Sequence, residues 1–235
     1  MAFVLIPGAG GAAWYWGRVE QELRRRGHDA VAVDLPATDD AAGLAEYADA
    51  VVAAAAPFPG AVALVAQSMG GLTAALVCER RPVSLIVLVN GMIPSPGETG
   101  GEWWDNVGQA AAMRENDLRE GRAPDAGFDP FTHFLHDLPG DVVDESAAHQ
   151  GEQSGTPFAE AWPLDAWPDV PTRVLVGRDD RFFPAAFQRR IAEERLGITP
   201  DEMPGGHLVA LARPAQVAER LVAYLLSDAD HATTR

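Results

Sequence analysis

Short apolar runs alternate with longer amphipathic stretches along most of the chain. The apolar runs lie near residues 3–6, 30–33, 61–66, 84–89 and 172–176. Runs of this length without polar alternation are typical of parallel strands that are buried on both faces. Between them, apolar residues recur at spacings of three and four, which predicts helices at 16–26, 39–56 and 214–226. The pattern predicts an α/β fold with a mainly parallel sheet and helices on both faces.

The alternation stops between residues 92 and 171, where no strand-like run occurs and Pro, Gly, acidic and aromatic residues are frequent. Parts of this segment have helical patterns, at residues 103–118, 131–138 and 141–150. A structureless loop of this length is uncommon inside a compact domain. We therefore predict two units, a core formed by residues 1–91 and 172–235 and an inserted helical cap formed by residues 92–171.

Residues 61–80 join an apolar run to a helical pattern through the turn Gln67-Ser68-Met69-Gly70-Gly71. A strand, a sharp turn centred on serine and a helix form a nucleophile elbow, in which the serine hydroxyl is exposed at the sheet edge. Small residues stand two before and two after the serine, at Ala66 and Gly70, where larger side chains would crowd the turn. A serine that merely caps a helix is the alternative at this point.

The charge and cysteine content exclude several classes of function. Asp plus Glu number 34 against 18 Lys plus Arg, a net charge of −16, which argues against nucleic acids and anionic membranes as partners. The single cysteine cannot form an internal disulfide, and no Cys/His cluster suggests a metal site. The first residues enter a strand without a signal-like segment. We expect a soluble cytoplasmic protein without a metal, while the oligomeric state stays open.

A glycine-rich loop follows the first strand, with Gly8, Gly10 and Gly11, and Asp34 ends the next strand. Such a loop and acid occur in dinucleotide-binding folds. The spacing here differs from G-x-G-x-x-G, however, which argues against a nucleotide. We predict no cofactor.

Ser68 and Asp180 follow two of the apolar runs, and His207 follows a short, weakly apolar strand that we predict near residues 198–203. All three polar residues therefore fall at the carboxyl ends of predicted strands. Ligands of parallel α/β sheets bind at this edge. A serine hydroxyl needs a base to become a nucleophile, and a histidine held by a carboxylate supplies one. The three residue types therefore indicate nucleophilic catalysis.

Five motifs along the chain carry a resemblance to a known family: FVLIPGAGGAAWYW, AQSMGGL, LVNGMIP, GRDDRFFP and GGHLVALARP. Together they resemble the α/β-hydrolase superfamily over nearly the whole chain. More narrowly, they are similar to the plant methylesterase and hydroxynitrile lyase branch and its bacterial relatives.

The resemblance implies roles for individual residues. Ser68 matches the nucleophile and His207 the base. Asp180 matches the acid because it stands three residues after Gly177, as the acid of the family does. Asp179 is its rival.

Some members of the family carry the acid after an earlier strand. At that position this chain has Asn90-Gly91, without a carboxylate. The oxyanion hole implied by the resemblance uses the backbone N–H groups of Met69 and Ala9.

The family places its substrate between the strand edge and the cap. By resemblance, we expect an apolar acyl or alcohol site there. Its expected lining residues are Gly8, Met92, Trp103, Phe131, Trp162, Phe182 and Leu208.

The activity implied is hydrolysis of a small, apolar carboxylic ester by a serine hydrolase through an acyl-enzyme. The lyase branch has a threonine at the position of Gly8 and a lysine at that of Leu208, which disfavours a lyase. A lyase, C–C hydrolase or cyclase on the same scaffold stays as one alternative, and a non-catalytic receptor for a small ligand as another.

Overall fold

The computed structural model describes residues 1–124, 126–149 and 151–232, with the backbone alone for residues 228–232. The strands are β1 (Ala2–Ile6), β2 (Asp29–Ala32), β3 (Val62–Gln67), β4 (Val83–Val89), β5 (Thr172–Gly177) and β6 (Asp201–Met203). The helices are α1 (Gly17–Arg25), α2 (Leu44–Ala55), α3 (Gly71–Val77), α4 (Gly100–Asn106), α5 (Gln109–Arg119), α6 (Pro130–His133), α7 (Gly140–Ser146), α8 (Thr156–Ala159), α9 (Ala185–Leu196), α10 (Val209–Ala212) and α11 (Pro214–Ala232).

The strands form one parallel sheet in the order β2-β1-β3-β4-β5-β6. The chain first adds β2 on one side of β1 and then returns to add β3 on the other. The direction of winding therefore reverses between β1 and β3, and the loops after these two strands lie side by side. Ligands of open α/β sheets bind at such a switch point.

The sheet has a hydrophobic core on each face because successive side chains of a strand point to opposite sides. Val4 and Ile6 of β1 pack with α2, α3 and α9, whereas Phe3 and Leu5 pack with α1, α10 and α11. Most residues of the apolar runs are buried because helices cover both faces. The predicted α/β architecture with a parallel sheet is confirmed.

Several helix bounds differ from the sequence pattern for identifiable reasons. The helix predicted at residues 39–56 begins only at Leu44, because Asp39 uses its carboxylate on the N–H of Ala41 within a preceding turn. The pattern at 103–118 forms two helices, α4 and α5, interrupted at Gly108 with a φ of +65°. The last helix extends to Ala232, beyond the predicted end at 226.

The described residues between β4 and β5 add no strand to the sheet. They form α4 to α8 with connecting turns, and α6 is a single turn where a longer helix, 131–138, was predicted. Most of the helix predicted at 141–150 is present as α7 and a following 3-10 turn, while Gln150 lies outside the described residues. We refer to residues 92–171 as the inserted segment.

Candidate active site

Ser68 occupies the sharp turn between β3 and α3 in a conformation that serine rarely adopts. Its φ is +49°, in the left-handed region, and its carbonyl accepts a hydrogen bond from the N–H of Met92 at 2.8 Å. A Cβ on Gly70 would lie 2.6 Å from the carbonyl oxygen of Pro7, and one on Gly71 would lie 2.0 Å from that of Met92. The turn therefore requires both glycines. Backbone strain of this kind is typical of functional sites.

His207 links the serine to a carboxylate. Its Nε2 lies 3.2 Å from Ser68 Oγ, and its Nδ1 lies 2.8 Å from Asp180 Oδ2. The other oxygen of Asp180 accepts the N–H groups of Phe182 and Phe183, each at 2.8 Å. Asp180 and His207 are buried, whereas Ser68 is partly open. The arrangement is a continuous hydrogen-bonded chain from an accessible hydroxyl to a buried acid.

Asp179, the rival acid, lies apart from the histidine ring. Its side chain is exposed, and its Oδ2 accepts the N–H of Gly205 at 2.9 Å. The two adjacent carboxylates thus have different contacts. Asp180 is bound to the imidazole, and Asp179 holds the loop that leads to it.

Asn90 fastens the histidine loop to the end of β4. Its side chain donates to the carbonyls of Gly206 and His207 at 3.0 and 3.1 Å, and it accepts the N–H of Gly177 at 2.7 Å. Asn90 is fully buried and has a φ of +46°, which asparagine tolerates better than most residues. An amide suits the position because one side chain must both donate and accept. The sequence alone shows at Asn90 only that a carboxylate is missing, and it does not predict this bracing role.

Three aromatic rings surround the imidazole of His207. Phe134 of the inserted segment stacks on it, with centroids 4.8 Å apart and an interplanar angle of 12°. Phe182 and Phe183 approach it edge-on at 5.2 and 5.0 Å. The rings restrict rotation of the imidazole and exclude water from it. Phe134 was missed in the sequence because α6 is too short for its pattern to indicate a face.

The glycine-rich loop after β1 runs directly against the serine. A Cβ on Gly8 would come within 2.9 Å of Ser68 Cβ and 2.4 Å of Gln67 Oε1. Ala9 follows in this loop, and Met69 lies in the first turn of helix after the serine, where backbone N–H groups lack intrahelical acceptors. Asp34 accepts the N–H of Ala13 at 2.7 Å and so braces the loop. Asp34, the acidic residue that follows β2, therefore has a structural contact in this loop.

A cavity of about 350 Å³ opens beside the serine, between the sheet edge and the inserted segment. Gly8, Ala9, Gln67 and Leu208 form its floor near Ser68. Its apolar and aromatic walls include Trp14, Tyr15, Phe128, Pro130, Phe134, Leu135 and Leu211. Burial raises the pKa of the Tyr15 phenol, so Tyr15 contributes no charge to the cavity wall. The site can therefore accept an uncharged, largely apolar molecule.

A second cavity, of about 330 Å³, lies on another side of Asp180. Arginine, histidine and acidic side chains line it, among them Arg178, Arg181, His136 and Asp137. Burial, followed by the charge of Arg181, lowers the pKa of His136. Neither the glycine-rich loop nor Gln67 lines this second cavity, so it is distinct from the cavity next to the serine turn.

The structure divides the predicted pocket residues into two groups. Gly8 and Leu208 line the cavity as predicted. The other five predicted residues do not line it, and among them Phe182 packs against His207 and Phe134.

Trp103 and Trp162 belong to the core and do not line the cavity. Each is nearly fully buried, and their indole N–H groups donate to the carbonyls of Ile93 and Leu72. Met92 is also buried and contacts Ser68 through its backbone. Phe131 is 69% exposed and does not line the cavity.

Neither a metal cluster nor a membrane-spanning element occurs in the described part of the chain. Residues 1–124, 126–149 and 151–232 contain no group of three or more His, Cys, Asp or Glu side chains that could hold a metal ion. Within the same ranges, no helix has both the length and the apolar character that are needed to cross a bilayer.

A parallel α/β sheet with a strained serine, a histidine and an acid at its carboxyl edge defines the α/β-hydrolase class. The sequence matches the model of the alpha/beta hydrolase family over residues 3–220, and the chain belongs to this family. The resemblance expected from the motifs is therefore confirmed.

Named relatives have several activities. A rice protein called probable esterase PIR7A (Oryza sativa subsp. indica) is 40% identical over 110 residues. That alignment covers 41% of this chain, and the chain spans only 41% of the rice protein. Norfluorocurarine synthase 1 from Strychnos sp is 24% identical over 248 residues, which cover 93% of each chain.

Solved structures share the fold. A pyrethroid hydrolase from Sphingobium faniae JZ-2 superposes with a TM-score of 0.74 over 98% of this chain and 99% of its own. Its sequence is 20% identical, so the likeness concerns the fold alone.

Proposed function

We propose that the protein is a serine esterase that hydrolyses a small, largely apolar carboxylic ester. The observation that carries the proposal is the hydrogen-bonded chain Ser68–His207–Asp180, which begins at a strained turn beside an apolar cavity. Esterase names among the relatives support it. No cofactor takes part in the proposed reaction.

The first half of the reaction forms an acyl-enzyme. Ser68 Oγ attacks the ester carbonyl carbon, and His207 Nε2 takes its proton. Asp180 stabilises the resulting imidazolium through Nδ1. The carbonyl oxygen becomes negative and binds the N–H groups of Met69 and Ala9, each such donor contributing about 3–4 kcal/mol to transition-state stabilisation. His207 then protonates the leaving alcohol as its bond to carbon breaks.

The second half regenerates the enzyme. A water molecule loses a proton to His207 and attacks the acyl carbon. The second tetrahedral intermediate collapses, Ser68 recovers its proton from His207, and the carboxylic acid leaves. The same histidine therefore acts as base and acid in each half.

The inserted segment acts as a cap in this proposal. Its Phe134, Leu135 and Phe128 form the side of the cavity that faces the sheet edge. We propose that the apolar part of the ester lies against these side chains. The cytoplasmic location stays a prediction.

The space around Gly8 favours ester hydrolysis over a lyase reaction. A side chain on this residue would press on Ser68, so the position occupied by threonine in the lyase branch has no room for it here. The synthase name of one relative keeps a non-hydrolytic reaction as the second candidate. Product analysis of a turned-over substrate separates the two, because only hydrolysis releases an acid and an alcohol.

Hydrolysis of p-nitrophenyl acetate, butyrate and octanoate by wild type and Ser68→Ala tests the proposal. We expect Ser68→Ala to lower kcat by roughly four to six powers of ten. Ser84→Ala is the matched control, since Ser84 binds the carbonyl of Val62 far along the sheet. Near-full activity of Ser68→Ala, or equal losses in the two variants, would refute the assignment. Turnover by a binding protein is not expected, so activity in wild type also excludes the receptor alternative.

A further inference from the structure

Gln153, in the inserted segment, contacts the loop that carries one proposed oxyanion donor. Its Oε1 accepts the N–H of Gly10 at 3.1 Å, and Gly10 directly follows Ala9. The backbone of Gly151 also lies against the loop, because a Cβ on Gly151 would be 2.9 Å from the carbonyl oxygen of Gly10. The inserted segment thus touches the glycine-rich loop at its tip.

The contacts of Gln153 fix which way its amide faces. Its Nε2 donates to Tyr47 Oη and to the carbonyl of Ser154, both at 2.9 Å. A flipped amide would place donors against the N–H of Gly10 and an acceptor against the carbonyl of Ser154. Only one orientation satisfies all three contacts. The side-chain oxygen of Gln153, Oε1, is therefore held toward the N–H of Gly10.

The backbone around Gln153 is itself anchored to the core. The N–H of Ser154 donates to the carbonyl of Ala37 at 2.7 Å, and its hydroxyl donates to Asp40 at 2.8 Å. Thr156 donates to the carbonyl of Asp40 at 2.8 Å. These hydrogen bonds hold Ser154, the residue after Gln153, against the turn before α2. The backbone that carries the Gln153 side chain is therefore fixed relative to the core.

Gly10 needs such a constraint. Its φ is +85°, and glycine moves between positive and negative φ with little energetic difference. The N–H of Gly10 and the carbonyl of Ala9 belong to the same peptide unit. Rotation of this unit changes the backbone conformation of Ala9, next to the Ala9 N–H. An acceptor on Gly10 therefore limits the orientations open to Ala9.

We propose that Gln153 is a positioning residue that holds the Ala9 N–H toward the oxyanion, so that the inserted segment completes the oxyanion hole. This inference rests on the proposed esterase function. Gln153 touches neither substrate nor the reacting atoms. Its effect is confined to states that carry negative charge on the carbonyl oxygen.

The test compares Gln153→Leu, which removes the acceptor, with Gln153→Glu, which keeps one. With p-nitrophenyl butyrate we expect Gln153→Leu to lower kcat about 10- to 50-fold with KM within about threefold of wild type. This is less than the 10²- to 10³-fold loss on deleting an oxyanion donor, because the N–H of Ala9 stays present. Gln153→Glu keeps an acceptor for Gly10 but sets a second acceptor against the carbonyl of Ser154, so we expect it to lower kcat, by a smaller factor than Gln153→Leu does.

Binding of a tetrahedral adduct distinguishes a positioning role from a purely structural one, because only the positioning role predicts weaker binding of the adduct. Butylboronic acid adds reversibly to Ser68 and places a boron-bound oxygen where the oxyanion forms. Its inhibition constant should rise in Gln153→Leu by about the same factor by which kcat falls. Tyr47→Phe removes one hydrogen-bond partner of the Gln153 amide and should lower kcat by a smaller factor. This variant replaces Gln153→Leu in the test if Gln153→Leu does not fold.

The outcomes separate this inference from the proposed function. Hydrolysis that persists in Ser68→Ala, or a wild type without turnover, defeats both. Ser68-dependent hydrolysis with full kcat in Gln153→Leu overturns the positioning role alone. So does an equal loss in Gln153→Leu and Gln153→Glu, or a loss of kcat in Gln153→Leu without weaker boronic acid binding.

Discussion

Gly177→Ala tests how closely the acid loop and the histidine loop must approach each other. Gly177 is the last residue of β5, three residues before Asp180. A Cβ there would lie 2.5 Å from the carbonyl oxygen of Gly205 and 2.6 Å from that of Gly206. Both are backbone atoms just before His207. Gly177 does not have a positive φ, so alanine would act through this clash alone.

The size of the clash sets the expected effect. Ordinary contacts of a Cβ begin at 3.4 Å, so the histidine loop or β5 must move by about 0.9 Å. A misplacement of 1 Å in catalytic geometry lowers rates by about 10²-fold. We therefore expect kcat to fall about 30- to 100-fold, and the free energy of unfolding to fall by about 1–3 kcal/mol from overpacking. KM should change less than threefold, because Gly177 does not line the cavity.

Gly17→Ala is the matched control. A Cβ on Gly17 has no atom within 4 Å, and the residue begins α1 with an ordinary helical φ of −54°. Alanine there should leave kcat unchanged and raise the free energy of unfolding by about 0.4–1 kcal/mol. Initial rates with p-nitrophenyl butyrate and urea denaturation measure both quantities. A kcat of Gly177→Ala within threefold of wild type would refute the reasoning, as would an equal loss in Gly17→Ala.

Two further predictions concern the inserted segment. Phe134→Leu removes the ring stacked on His207, where a cation–π contact with the imidazolium contributes about 0.5–2 kcal/mol. We expect kcat to fall roughly 2- to 30-fold, while Phe131→Leu at the exposed position has no effect; equal effects would contradict the stacking role. Glu98→Ala removes the carboxylate that pairs with the largely buried guanidinium of Arg195 on α9, and urea denaturation should show a loss of at most about 3 kcal/mol, because Arg195 keeps its hydrogen bond to the carbonyl of Ile93. The exposed Glu102→Ala should lose about 1 kcal/mol or less. Burial opposes ionisation of Glu98 most strongly, yet its hydrogen bonds outweigh this and lower its pKa. Its stabilisation is thus present at neutral pH and is lost as the pH falls through the lowered pKa, so the difference in stability between wild type and Glu98→Ala should narrow as the solution is acidified; an undiminished difference in acid would contradict the ion pair.

The local sequence is sufficient to predict structure where an element's conformation depends on its own residues. The run before Ser68 is apolar on both faces, and the glycines after it have no room for side chains. Both features are legible in the residues themselves. The helix bounds were less predictable, because Asp39 can cap a helix or a turn and only the packing of α2 selects the turn.

Aromatic residues of the inserted segment show where local pattern is insufficient. Phe131 and Phe134 stand three residues apart, yet one is exposed and the other lies on His207. Trp103 and Trp162 have the same apolar character as a pocket wall, but both are buried in the core. Hydrophobicity alone therefore predicts neither whether a given ring is buried nor the surface against which it packs.

By itself, the sequence determined the alternation of strands and helices, the turn at Ser68 and the residue types of the proposed chemistry. These follow from local periodicity and from the few residues that a sharp turn accepts. Only the tertiary structure decided which carboxylate meets His207, that Asn90 holds the histidine loop, and that Gln153 reaches Gly10 from 143 positions away. Such contacts depend on how separate strand ends and the inserted segment pack together. That packing brings together residues that are far apart in the sequence and follow no helix or strand periodicity.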